Sequence, residues 1–188
     1  IKEIDPSTLQ EEHKQYIMGA RSRLHELIDL INSDEWNYVK TKSKTRIYVK
    51  KSERGLVCIK GETIFPFDAE LIVSYLMRVD RRHEYDKFTD HANIIQELPR
   101  RTFLVYAKIK QILVVASRDI TFTSQIITSK KQGCMYTPTY SIELDDYPPQ
   151  KNPIRANVAI GGWVIKKTNR GNQVTYVSEI DLQGNLPK

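Results

Sequence analysis

The sequence predicts an α+β fold built on a large antiparallel sheet, and three observations carry that reading. Segments of period-two hydrophobicity come in blocks, three before Phe65 and about six after His91, with helical spacing confined to the N-terminus and the stretch between. Blocks of strands without regular strand–helix alternation point to α+β rather than to a parallel sheet. The C-terminal part reads as one long hairpin. Ile154, Ala156, Val158 and Ile160 alternate on one face, Val174, Tyr176, Ile180 and Leu182 do so again, and Asn169-Arg170-Gly171-Asn172 supplies the turn. Finally, Gly161-Gly162 interrupts the first of these strands, where a bulge would bend it sharply around an apolar interior.

Taken in order, Asp5-Pro6-Ser7 reads as a helix start, with Asp5 or Ser7 as cap. Leu9, Ile17, Ala20, Leu24, Leu27, Ile28 and Ile31 recur at three- and four-residue steps, so one amphipathic helix runs to about Asn32. Residues 36–39, 45–50 and 56–64 read as a three-stranded meander with turns at Lys42-Ser43-Lys44 and Ser52-Glu53-Arg54-Gly55. After Pro66, Asp68 caps a helix whose inner face is Ala69, Ile72, Val73, Leu76 and Met77; Asp80 is expected to cap a short second helix over 81–88. Strand patterning returns at Ile94-Ile95, 103–107, 120–127 and 135–142, broken at Pro99-Arg100 and at Lys130-Lys131-Gln132-Gly133.

The 188 residues, 40% of them hydrophobic, suit a single domain with an ample core. No run of about 18 apolar residues could cross a bilayer as a helix. A first residue of Ile rather than Met gives the sequence the look of an excised segment. Cys58 and Cys134 lack metal-ligand spacing and fit buried, reduced thiols in a cytoplasmic protein. The net charge is +6, with Lys40, Lys42, Lys44, Arg46, Lys50, Lys51 and Arg54 close together in sequence. Such a cluster attracts phosphates of nucleic acid or of an anionic membrane. Strand alternation sends its lysines and Tyr48 to opposite faces at several positions, so no nucleic-acid partner is expected.

Catalytic signatures are missing from the sequence: no phosphate-cradling glycine loop, no helix-borne pair of zinc-binding histidines, no nucleophile elbow. Glu84 and Asp86 would diverge on a helix and make a poor acid–base pair. The expectation is a non-enzymatic, monomeric protein without metal or cofactor.

Three landmarks resemble the START (StAR-related lipid-transfer) domain. One is Asp80-Arg81-Arg82-His83-Glu84-Tyr85-Asp86, similar to that family's short helix ending in Trp-Asp, with Tyr85 for Trp. The next is Thr102-Phe103-Leu104-Val105-Tyr106 followed by Ser117-Arg118-Asp119. The last combines Ile154-Arg155-Ala156, Gly161-Gly162-Trp163 and Asp181-Leu182-Gln183-Gly184-Asn185-Leu186-Pro187. The resemblance implies a helix-grip fold: a long curved antiparallel sheet, an N-terminal helix and two short central helices around an apolar tunnel holding one lipid. It also implies a C-terminal lid helix after the Gly-x-x-Pro segment, which this sequence does not include.

A site follows from the same resemblance. Arg82 falls where a family member specific for phosphatidylcholine holds the lipid phosphate, and a phosphodiester would accept its bidentate fork. Asp86 would orient Arg82 or a glycerol oxygen. Of the three aromatics that cage choline in that relative, only Tyr106 matches; Ile120 and Ala159 stand at the other two positions, with Tyr136, Tyr140, Tyr176 or Trp163 as substitutes. The Glu–Arg pair of sterol-binding relatives would fall at Ala107 and Ser124, and the ceramide carrier's amide at Ala107, so both lipids are disfavoured. Arg118-Asp119 and Arg155 read as a structural ion pair.

Residues 108–116 fall at the family's mobile loop and form either a buried strand or a membrane-dipping tip. In the second case Ile112 and Leu113 enter the bilayer while Lys108 and Lys110 meet headgroups. The expected ligand is a glycerophospholipid such as phosphatidylcholine, carried in the cytoplasm with transient contact at membrane surfaces. The alternatives are a lipid-sensing or tethering module of a larger protein, and a sterol or ceramide binder.

Overall fold

The architecture is taken from a computed structural model, which describes residues 4–184. Helix α1 (Glu11–Asn32) buries Ile17, Ala20, Leu24 and Leu27, the stripe that its spacing dictates, and carries Glu11 and Glu12 in its first turn, where the helix dipole favours carboxylates. Its start differs from the expected one. The Asp5 side chain accepts from Ser7 N at 2.9 Å and caps a separate 3-10 turn, Pro6–Thr8; extended backbone at Leu9 then separates that turn from α1.

Strands β1 (Asn37–Lys42), β2 (Thr45–Lys51) and β3 (Val57–Phe65) form the expected meander. Asp68 caps α2 (Ala69–Leu76) by accepting from Glu70 N at 2.8 Å. The chain then forms a 3-10 helix, Val79–Glu84, rather than a helix over 81–88. Asp80 lies inside it and caps nothing; Asp86 ends the segment by accepting from Phe88 N at 3.1 Å and from Thr89 Oγ1 at 2.9 Å.

The remaining strands are β4 (Thr89–Leu98), β5 (Thr102–Ile109), β6 (Arg118–Gln125), β7 (Ile127–Ser129), β8 (Cys134–Tyr136), β9 (Thr139–Ser141), β10 (Ile154–Arg155), β11 (Asn157–Thr168) and β12 (Gly171–Asp181). The single strand expected over 135–142 is split because Pro138 has no N–H to give a ladder. Among the described residues the twelve strands belong to one sheet, whose main path runs β1-β2-β3-β12-β11-β9-β6-β5-β4. All the pairings are antiparallel except the two-residue β10–β6 contact.

The sheet has two differently covered faces. On the outer face, Leu24 and Leu27 of α1 pack on Ile160, Val177 and Tyr136. On the inner face, Ile72 and Val73 of α2 pack on Ile165 and Val174, and Val79 joins Ala107, Ile120, Phe122 and Val158. The bulge in β11 is not at the glycine pair: register slips between Val158 and Ile160, so Ala159 is the extra residue. The slip puts Val158 inside and Ile160 outside, ending the alternation expected from the sequence. Gly162 has another duty. Its φ is 146°, and a Cβ there would lie 2.1 Å from the Thr137 carbonyl oxygen, so the neighbouring backbone leaves no room for a side chain.

Candidate functional site

Alternation along the strands aims a small set of side chains into a cleft on the inner face. Ala107 and Ile109 of β5, Ile120 and Phe122 of β6, and Val158 of β11 make its apolar floor. Trp163 and Tyr176, ring centroids 4.7 Å apart, form one wall. Leu76 of α2, Met77 just after it, and Val79 of the 3-10 helix close it from above, and Arg82 and Asp86 are its only charged residues among those described.

The cleft encloses about 90 Å³. That is less than the roughly 300–1,000 Å³ of ordinary small-molecule sites. At this point the apolar interior is a narrow cleft. The reason lies in the packing: Val79 packs on the floor and α2 with Met77 covers Ile165 and Val174, while the β3 side of the inner face stays exposed. By register, Tyr176 lies opposite Gly61 and Ser178 opposite Ile59, which in turn pair with Ile47 and Val49 of β2. An apolar strip thus leads from the cleft across β3, where Ile59 and Val57 are 47% and 63% exposed.

Arg82 donates from Nε to Asp86 Oδ2 across a long 3.4 Å, and its two Nη groups have no protein acceptor among the described residues. Burial opposes its charge, but Tyr176, Tyr85 and Asp86 outweigh that effect and raise its pKa above the usual arginine value. The guanidinium thus stays charged beside an apolar floor, with one edge held and the other unsatisfied. Asp86 is itself fixed by Thr89 and the Phe88 amide, so it acts as the arginine's anchor. Such a group suits an anion with two oxygens in one plane.

The structure brings Arg82, Asp86, Ile120 and Tyr176 together at the cleft and leaves Tyr106 and Ala159 out. Tyr106 follows strand phase: with Ala107 and Ile109 pointing inward it points outward, where its ring lies between His91 and Tyr147. Ala159 is the bulge residue, and its carbonyl accepts from Arg23 of α1 at 2.9 Å. Tyr136 and Tyr140 also belong to the α1 side, leaving Trp163 beside Tyr176 as the aromatics of the cleft wall, with Phe122 in the floor. Trp163 carries a signal in the sequence, since it directly follows the glycine pair. Met77 carries only the helical spacing that turns it inward, and Thr89 carries no signal.

Glu84 does not converge with Asp86, because it pairs with Arg81 and accepts from Tyr75. Arg155 grips the buried Asp119 through two bonds of 2.9 and 3.0 Å. Arg118, also buried, donates instead to the carbonyls of Ala116, Leu182 and Gln183 and ties the end of β12 to β6. The loop between β5 and β6 is not a buried strand. Ile112 and Val115 bridge a tight turn whose tip, Leu113 and Val114, is 88% and 78% exposed. Lys108 is engaged by Asp90 at 3.3 Å, while Lys110 has no ion pair among the described residues.

The model of the START domain matches residues 21–188. No curated protein matches by sequence. Among solved structures, human STARD10 is 20% identical, with 88% of this chain and 69% of that chain covered and a TM-score of 0.76. Human StAR-related lipid transfer protein 5 is 13% identical over 94% of this chain and 86% of that one, with a TM-score of 0.79. A StAR-related lipid transfer protein from Xanthomonas axonopodis is 19% identical over 82% and 86%, with a TM-score of 0.71. At these identities the likeness is one of fold.

Proposed function

The chain belongs to the START domain family, and from that premise we propose that it binds one lipid against the inner face of its sheet and carries it between membranes. The lipid class we infer is a glycerophospholipid such as phosphatidylcholine. The observation that carries this choice is Arg82: a permanently charged fork at the rim of an apolar cleft, anchored on one side and without an acceptor on the other. A phosphodiester supplies that acceptor, and neither a sterol nor a ceramide does.

Each buried methylene is worth about 0.8 kcal/mol, so two acyl chains of roughly thirty methylenes are held against water by on the order of 25 kcal/mol. A carrier must therefore offer apolar cover of its own. The cleft holds only the part nearest the headgroup. The chains lie along the strip through Ile59 and Val57, or α2 and the 3-10 helix move outward to admit them. Trp163 and Tyr176, in the same cleft, would offer ring faces to a choline ammonium on the same phosphate. In this reading the loop tip at Ile112 and Leu113 enters the donor membrane, with Lys110 at the headgroups and Lys108 partly neutralised by Asp90.

The test is uptake of fluorescent phosphatidylcholine from vesicles by the wild type and by Arg82→Gln. Uptake is expected to fall at least tenfold in the variant while circular dichroism stays unchanged. Equal uptake would remove Arg82 from the site.

A further inference from the structure

The strand registers place four turns at one end of the sheet: β1–β2, β4–β5, β7–β8 and β11–β12. Their tips carry Lys42 and Lys44, Arg100 and Arg101, Lys130 and Lys131, and Lys167 with Arg170, all of them exposed, and none of the four turns contains an Asp or Glu. Only Arg101 is paired among the described residues, to Glu70 of α2. Phe65 and Phe67, 41% and 56% exposed, lie between the β11–β12 turn and α2; Asn172 binds the Phe67 carbonyl. Carboxylates nearby are few: Asp68 caps α2, Glu62 is held by Arg46 and Lys60, and Glu97 of β4 is exposed beside the β4–β5 turn. The opposite end, which bears the Leu113 loop, is mixed in sign: Glu53, Glu143, Asp145 and Asp146 stand there among Lys51, Arg54, Lys110 and Lys151.

Two of the basic tips are also held in unfavourable backbone. Ser43 and Lys44 have φ of 48° and 65°, Arg100 and Arg101 of 62° and 55°, in turns where Asn and Gly are the unstrained choices. Cations persist there against conformational preference, the kind of local strain that marks functional positions.

We propose that this end is a docking surface for an anionic bilayer, separate from the apolar loop tip at the other end of the strands. The charges are spread over turns in two dimensions rather than lined along a groove, which fits a plane of headgroups better than a linear polyanion. Phe65 and Phe67 supply the apolar side chains that sit at the headgroup–acyl boundary. Each basic residue near such a surface contributes about fivefold to partitioning, and the attraction is screened by salt.

The experiment is co-flotation of the chain with vesicles of phosphatidylcholine alone or with phosphatidylserine added, at low and high salt. Binding is expected only with phosphatidylserine, falling as salt rises. It should drop at least tenfold in Lys42→Glu/Lys44→Glu, and likewise in Lys130→Glu/Lys131→Glu, with unchanged melting temperatures. Lys51→Glu/Lys151→Glu, at the opposite end and outside the loop tip, should retain most of it. The proposal is overturned if both doubles at the basic end bind like wild type, if the Lys51/Lys151 double loses as much, or if a single-stranded oligonucleotide displaces the protein at a lower phosphate concentration than phosphatidylserine vesicles do. Uptake of lipid into the cleft is read separately through Arg82→Gln, so failure of one reading leaves the other standing.

Discussion

At the residue scale, two arginines show how the same side chain serves two ends. Arg155 binds the buried Asp119 by two short bonds and also donates to Thr121 Oγ1 and the Tyr147 carbonyl, so every edge is satisfied. Arg155→Ala would leave Asp119 as an unpaired buried charge and should cost about 3–5 kcal/mol in urea unfolding. Arg82 has one long bond at 3.4 Å, so Arg82→Gln should cost less than about 1 kcal/mol in the same assay while abolishing most lipid uptake. A loss of several kcal/mol at Arg82 would make it a structural residue. Arg82 and Asp86 were readable from a short motif because a tight local segment fixes where both point. Tyr106 was not, because its direction depends on the phase of β5, and a motif match does not say which of two adjacent residues faces inward.

At the element scale, the β11–β12 hairpin was legible from alternation and its turn, but its bulge was not. A glycine pair marks either a bulge or a close backbone approach, and only the position of Thr137 shows that it is the second here. Gly162→Ala should therefore destabilise by more than about 3 kcal/mol, with no relief from repacking, since the clash is with backbone. Melting within a degree or two of wild type would contradict that reading. The β5–β6 loop makes the opposite forecast. Leu113 and Val114 contact little, so Leu113→Glu/Val114→Glu should leave stability unchanged and slow lipid transfer between vesicles several-fold. Unchanged transfer would take the loop out of the membrane contact.

For the whole molecule, the class of fold and the order of elements came from block-wise periodicity, because a half-covered sheet writes its two faces into the sequence. The size of the interior did not. How far Val79 presses onto the floor depends on how the 3-10 helix after α2 sits against the sheet, which no periodicity encodes. Stability against alkali is another whole-molecule property. Tyr136 is buried beside Cys134, and its pKa is raised from 10.0 to about 12, burial being the main cause. The folded state holds this proton where the unfolded state loses it, so the contribution is full below pH 10 and disappears as pH rises to about 12. Tyr136→Phe should flatten the fall of stability in that window; an unchanged slope would show that Tyr136 is not its source.

The claim on which the account turns is that one phospholipid lies on the inner face with its phosphate at Arg82. Native mass spectrometry after incubation with vesicles of mixed phosphatidylcholine, cholesterol and ceramide reads it directly. The predicted spectrum shows one phosphatidylcholine per chain, lost in Arg82→Gln. A chain that stays empty, or that selects a lipid without a phosphate, would contradict it.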